Sequence, residues 1–173
     1  MEHQANSKSI ILNYGLYLGV IGVIVHLTLW TTGHIIELQS LNSILNIGTM
    51  IAFIIFGIKK FKTLNSSFIS WGEAVKIGLG IVMVSAVISV IYTLLFTTVI
   101  APDFQELAMK AQEQKWLDAG LSEGEVENAT QMAKKFQSPG IISAMILAMS
   151  AFLGFVVSAI IAALMKKTAQ QDY

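Results

Sequence analysis

The sequence has no cysteine, no arginine and only two prolines in 173 residues. Without thiols there can be no disulfide exchange, thiolate zinc site, cysteine-ligated cluster or cysteine nucleophile. The four-span membrane oxidoreductases that work through paired thiols are excluded with them. Without arginine there is no planar fork for bidentate capture of phosphate or carboxylate, which weighs against nucleotide and nucleic-acid partners. Charge is scarce too: 13% of residues are charged, against roughly 25% in a soluble domain, while 54% are apolar.

The eleven lysines balance eleven acids, and the gaps between them carry the information. Lys8 to Glu37, Glu37 to Lys59, Lys76 to Asp103 and Lys135 to Lys166 each bracket a stretch without Asp, Glu or Lys. An α-helix rises 1.5 Å per residue, so about 20 apolar residues cross a hydrocarbon core of about 30 Å. The gaps predict an all-α, polytopic integral membrane protein with transmembrane helices at about 10–30, 41–58, 77–100 and 141–165. The first run is too long for the apolar region of a signal peptide and ends in Leu29-Trp30-Thr31-Thr32 rather than at a small-residue cleavage site, so it reads as a retained anchor.

Boundary signals agree with the gaps. Ser70-Trp71-Gly72-Glu73 has capping-box spacing at the start of the third helix. Ala101-Pro102-Asp103 ends that helix, because proline disfavours helical geometry in the residue before it. Ser138-Pro139 places an N-cap and a first-turn proline at the entry of the fourth span. Between spans three and four, residues 103–137 predict an extracytoplasmic helical hairpin broken at Gly120. Its apolar residues recur at helical steps: Phe104, Leu107, Ala108 and Ala111, then Val126, Ala129, Ala133 and Phe136. Ser122 and Glu125 repeat the capping-box spacing.

Four spans put both ends of the chain on one side. That side carries seven lysines (Lys8, Lys59, Lys60, Lys62, Lys76, Lys166, Lys167); the other carries Lys110, Lys115, Lys134 and Lys135. The positive-inside rule then predicts cytoplasmic N- and C-termini, with the Thr31–Ser40 link and the hairpin outside, in a bacterial inner membrane.

Candidate functional residues are few. His26 is the one ionisable side chain, tyrosines aside, within the four spans, where it suits a proton relay or a hydrogen bond to a neighbouring helix. His34 and Glu37 have i,i+3 spacing and with His26 would make a sparse metal site, but no ligand motif surrounds them; the expectation is no metal, no cofactor and no catalytic residue. Glu73 and Lys76 stand at the mouth of the third helix, where capping and pairing account for them and docking or gating is the alternative. Asn13 and Asn46 predict hydrogen bonds between helices. Small residues form ridges: Gly15, Gly19 and Gly22 on the first span, Ala74 and Gly78 on the third, and Ser150, Gly154, Ser158 and Ala162 on the fourth. Such ridges let helix backbones approach closely. No His-Glu-x-x-His, Gly-x-Ser-x-Gly or glycine-rich phosphate loop is present.

The segment Phe61-Lys62 through Phe68-Ile69-Ser70-Trp71-Gly72-Glu73-Ala74-Val75-Lys76, then Ile100-Ala101-Pro102-Asp103-Phe104, Lys135-Phe136-Gln137-Ser138-Pro139 and the closing Lys166-Lys167 resembles a bacterial four-span membrane family known as domain of unknown function 4199. The resemblance runs over nearly the whole chain, with Trp71 where the pattern leads one to expect phenylalanine. It implies the four-span architecture and carries no reaction, substrate or catalytic residue. The expected function is a non-catalytic envelope component that meets the lipid bilayer and binds either itself or another membrane protein, with no nucleic-acid partner. A small oligomeric transporter or channel is the alternative, and a membrane enzyme or metal-binding protein at the outer face the third reading.

Overall fold

The computed structural model describes residues 6–167. The two termini, expected on the cytoplasmic side, lie outside the described residues. Among the described residues six α-helices follow one another: α1 (Ser7–Thr31), α2 (Gln39–Leu64), α3 (Trp71–Leu95), α4 (Phe104–Asp118), α5 (Glu123–Lys135) and α6 (Pro139–Met165). There is no β-strand among the described residues, only an isolated antiparallel bridge between Ile69 and Lys167.

Four of these helices are long and apolar enough to cross a membrane: α1, α2, α6 and the continuous run Trp71–Ile100. Only 17–22% of each apolar window is buried within the molecule, so most of the apolar surface points outward. In water such exposure would be prohibitive; in lipid it is the solvated state. The chain is a multi-pass membrane protein.

Start signals read from the sequence operate as local chemistry. The Ile141 N–H donates to Ser138 Oγ at 3.4 Å at the entry of α6, and the Ser70 and Ser122 boxes both close. α1 begins earlier than the apolar run alone suggests, because the Asn6 side chain accepts from the N–H groups of Lys8 and Ser9. The end of the third span departs more from expectation. Phe96–Ile100 winds as a π turn, in which the Ala101 N–H reaches the Phe96 carbonyl at 2.8 Å. Thr97 and Thr98 donate their hydroxyls to the carbonyls of Thr93 and Leu94 at 2.8 and 2.7 Å, the same one-turn-back bond that Thr28 and Thr49 make within α1 and α2.

The chain divides into two compact units. The first contains α1, α2, α3 up to Ser89 and α6 from Leu147. Its core is branched aliphatic: Ile54 and Ile58 of α2, Ile77 and Ile81 of α3, Ile69 of the α2–α3 link, and Ile161 with Ala162 of α6 are all buried. The second, Val90–Ile146, holds the π turn, α4 and α5. Within it Phe96 is buried between Tyr92 and Phe104, ring centroids 5.6 and 5.2 Å away.

Candidate functional site

At the start of α3 the Glu73 N–H donates to Ser70 Oγ at 3.2 Å, while the Ser70 N–H and hydroxyl donate to Glu73 Oε2 at 3.1 and 3.0 Å. The carboxylate is thereby spent on the helix terminus. The Glu73–Lys76 pair suggested by their spacing does not form among the described residues; both side chains are exposed, and the capping geometry aims the carboxylate back toward Ser70 instead of forward along the helix.

His34 and Glu37 are exposed on the α1–α2 link, where the Leu38 N–H closes one helical turn on the His34 carbonyl at 2.9 Å. His26 lies part-buried on α1, two turns before His34. Among the described residues no three His, Asp or Glu side chains converge on a possible metal position, so these three are not brought together as a ligand set.

The small-residue ridges pack within this one chain. A methyl group on Gly15 would stand 2.6 Å from Val84 Cβ, one on Gly19 2.7 Å from Ile88 Cδ1, and one on Gly154 2.9 Å from Val82 Cγ1, so α1 and α6 both lie tight against α3. Ser158 is fully buried and Ser150 part-buried on the same α6 stripe. Gly22 has more room, since a methyl group there would stand 3.6 Å from Asn46 Oδ1. The two asparagines do not bridge helices through their described bonds. Asn13 donates to Ser9 Oγ at 3.5 Å and Asn46 to the Asn42 carbonyl and side-chain oxygen at 2.9 Å, each one turn back on its own helix. An amide that reaches an acceptor at i−4 needs no partner helix, and both residues stay exposed.

One end of the first unit is knotted by contacts that no motif announced. The Lys62 ammonium donates to the Met165 carbonyl at 3.0 Å, the Trp71 indole N–H to the Ala159 carbonyl at 3.2 Å, and Ile69 and Lys167 exchange backbone hydrogen bonds at 3.0 Å in both directions. The link that makes this possible carries Ser66 and Ser67 at φ 49° and 68°, left-handed values uncommon for serine. It is held by the Ser67 N–H on the Lys62 carbonyl at 2.8 Å and the Asn65 side-chain amide on the Phe68 carbonyl at 3.0 Å. Sequence spacing signals the lysines and the tryptophan, but not which carbonyls they meet.

The hairpin of the second unit turns at Gly120, whose φ of 91° suits a residue without Cβ. Its interior is partly polar. Val126 and Thr130 are buried, and the Thr130 hydroxyl donates to Glu113 Oε1 at 2.9 Å across the two helices. Two open grooves of about 410 and 520 Å³ flank this contact, with Glu113 and Lys134 lining both. The expected apolar stripe is only half used: Ala129 and Ala133 are part-buried, while Leu107 and Phe136 remain exposed. Small alanines bring the helices together without covering the large side chains at the ends of the stripe. On α4, Lys110 and Glu106 pair at 2.7 Å, which lowers the Glu106 carboxyl and raises the Lys110 ammonium from their ordinary pKa values. On α5, hydrogen bonds from the Ser122 hydroxyl and backbone lower the Glu125 carboxyl.

No curated protein and no solved structure matches the chain. A family model described as Protein of unknown function (DUF4199) matches residues 13–167, and the chain belongs to that family.

Proposed function

We propose that this family member is a non-catalytic envelope component of the bacterial inner membrane that binds another integral membrane protein through its α4–α5 hairpin. In this reading the lysine-rich flanks of the spans are cytoplasmic and the hairpin lies outside.

The observation that supports it is the pair Met132, on α5, and Phe136, the residue that caps its C-terminus, four residues apart and 63% and 54% exposed. Val126 and Thr130 close the hairpin onto α4, while Phe136, at the end of the same apolar stripe, and Met132 beside it stay exposed. Two large apolar side chains are therefore left uncovered by the contact that closes the hairpin. Flexible methionine beside an aromatic ring is a frequent composition of recognition surfaces.

The test is a photoreactive residue placed at Met132 in the full-length protein, expressed in cells that naturally make it. The expected product is a protein adduct of one discrete mass, lost when Phe136→Asp is added. Absence of a protein adduct, or an adduct untouched by Phe136→Asp, refutes the reading.

A further inference from the structure

Lysine is concentrated at one end of the first unit: Lys59, Lys60 and Lys62 close α2, Lys76 lies in the first turns of α3, and Lys166 and Lys167 follow α6. The side chains of Lys62 and Lys167 make contacts at one spot, with Lys166 next to both in the chain fold. The Lys62 ammonium sits on the Met165 carbonyl, one residue before Lys166, and the Ile69–Lys167 bridge pins the next residue to the α2–α3 link. The Lys167 ammonium lies 5.5 Å from the centre of the Phe68 ring. None of the three has a carboxylate partner among the described residues, and Glu73, the one acid of the α2–α3 region, is taken up by Ser70.

Like charges gathered by backbone and carbonyl contacts repel each other unless an anion neutralises them. The depth of the spot indicates which anion. Leu164, 81% exposed, immediately precedes Met165, and Ile160 is exposed one turn earlier, so lipid-facing surface ends where the ammonium groups begin. Trp71, exposed and donating its indole N–H to the Ala159 carbonyl, lies on the same part of the unit, and tryptophan favours the depth of lipid headgroups. Phosphodiester groups lie just beyond the last acyl carbons.

We propose that Lys62, Lys166 and Lys167, clamped around the Ile69–Lys167 bridge, form a binding site for the headgroup of an anionic glycerophospholipid. The Lys62–Met165 contact and the Lys167–Phe68 contact place two of the three ammonium groups before lipid arrives, and the bridge fixes the backbone of Lys167, so the site is preorganised in a way that a run of free surface lysines is not. Lys62 also keeps donor capacity, since an ammonium has three N–H groups and the Met165 carbonyl uses one.

The experiment uses the full-length protein in mixed micelles, with native mass spectrometry reading retention of phosphatidylglycerol against phosphatidylcholine of the same acyl chains. Selective retention of phosphatidylglycerol is expected, falling on the order of tenfold in Lys166→Gln/Lys167→Gln, since each lysine near an anionic surface contributes appreciably. Lys166→Arg/Lys167→Arg should keep it, and Lys134→Gln/Lys135→Gln on the hairpin should leave it unchanged. Helical content by circular dichroism in phosphatidylcholine micelles identifies any variant that has failed to fold, and for such a variant Lys62→Gln is read in its place with the same expected loss. Equal retention of the two lipids, or an equal loss in the hairpin variant, overturns the proposal.

Discussion

Ser158 of α6 is packed directly on Gly78 of α3: a methyl group on Gly78 would stand 2.8 Å from Ser158 Cβ and 2.9 Å from Ile54 Cγ2. The serine is fully buried, and its hydroxyl has no hydrogen-bond partner among the described residues. Two small residues thus set the distance between two spans in a setting where helix association depends on packing, because lipid removes most of the hydrophobic drive.

Opposite effects are expected from adding and removing atoms at this crossing. Gly78→Ala forces α3 away from Ser158 and Ile54 and should destabilise the fold by about 1–3 kcal/mol, the range for overpacking. Ser158→Ala removes a buried hydroxyl without a partner and should be neutral or stabilising by about 1 kcal/mol. Gly48→Ala, on a helical position with nothing within 4 Å, should stabilise by roughly 0.5–1 kcal/mol. Thermal or denaturant unfolding of the purified protein in detergent ranks the three; a Gly78→Ala protein as stable as the parent would contradict the packing.

The Ser70–Glu73 box separates a capping role from a gating one. Ser70→Ala removes the acceptor for the Glu73 N–H and should cost about 0.5–2 kcal/mol. Lys76→Gln should change little, because Lys76 makes no ion pair with Glu73 among the described residues. If Lys76→Gln destabilises as much as Ser70→Ala, the two side chains act together after all, and the capping account is wrong.

Much of the fold is legible in the sequence because the physics of spans is one-dimensional: absence of charge over about 20 residues marks a crossing wherever it occurs. Capping boxes at Ser70 and Ser122 are legible for a similar reason, since donor and acceptor lie three residues apart. What escapes needs three-dimensional information. The Lys62–Met165 contact joins residues 103 apart, and Trp71–Ala159 residues 88 apart. Asn13 and Asn46 show the converse: their polarity is plain in the sequence, yet an acceptor one turn back on the same helix satisfies each before any partner helix is needed. The π turn at Phe96–Ile100 has no composition of its own, and Pro102 marks only where it ends.

Topology can be tested directly because the chain has no native cysteine. Single cysteines at Gln39, Ser66 and Gly120 should partition under an impermeant maleimide in intact cells, Gln39 and Gly120 labelling and Ser66 only after lysis. Labelling of Ser66 in intact cells would reverse the orientation and move the hairpin to the cytoplasm.

Acid should loosen the hairpin before it affects the spans. Glu125 accepts the Ser122 hydroxyl at 2.7 Å and the Ser122 N–H at 2.8 Å, which holds its carboxyl below the ordinary value of 4.5. A carboxyl whose folded pKa is depressed stabilises the fold above its unfolded pKa, and the contribution is lost as pH falls through the folded value. Glu106 beside Lys110 works in the same direction and window. Both groups are fully exposed, so the effect should be local. Hydrogen exchange, corrected for intrinsic rates, should show the first turns of α5 losing protection between about pH 7 and pH 3 while the apolar centre of α3 keeps it. Ser122→Ala should shrink the difference, because only the backbone donor then remains to favour the carboxylate. Protection of α5 that is unchanged across that range would show that the box does not hold its N-terminus.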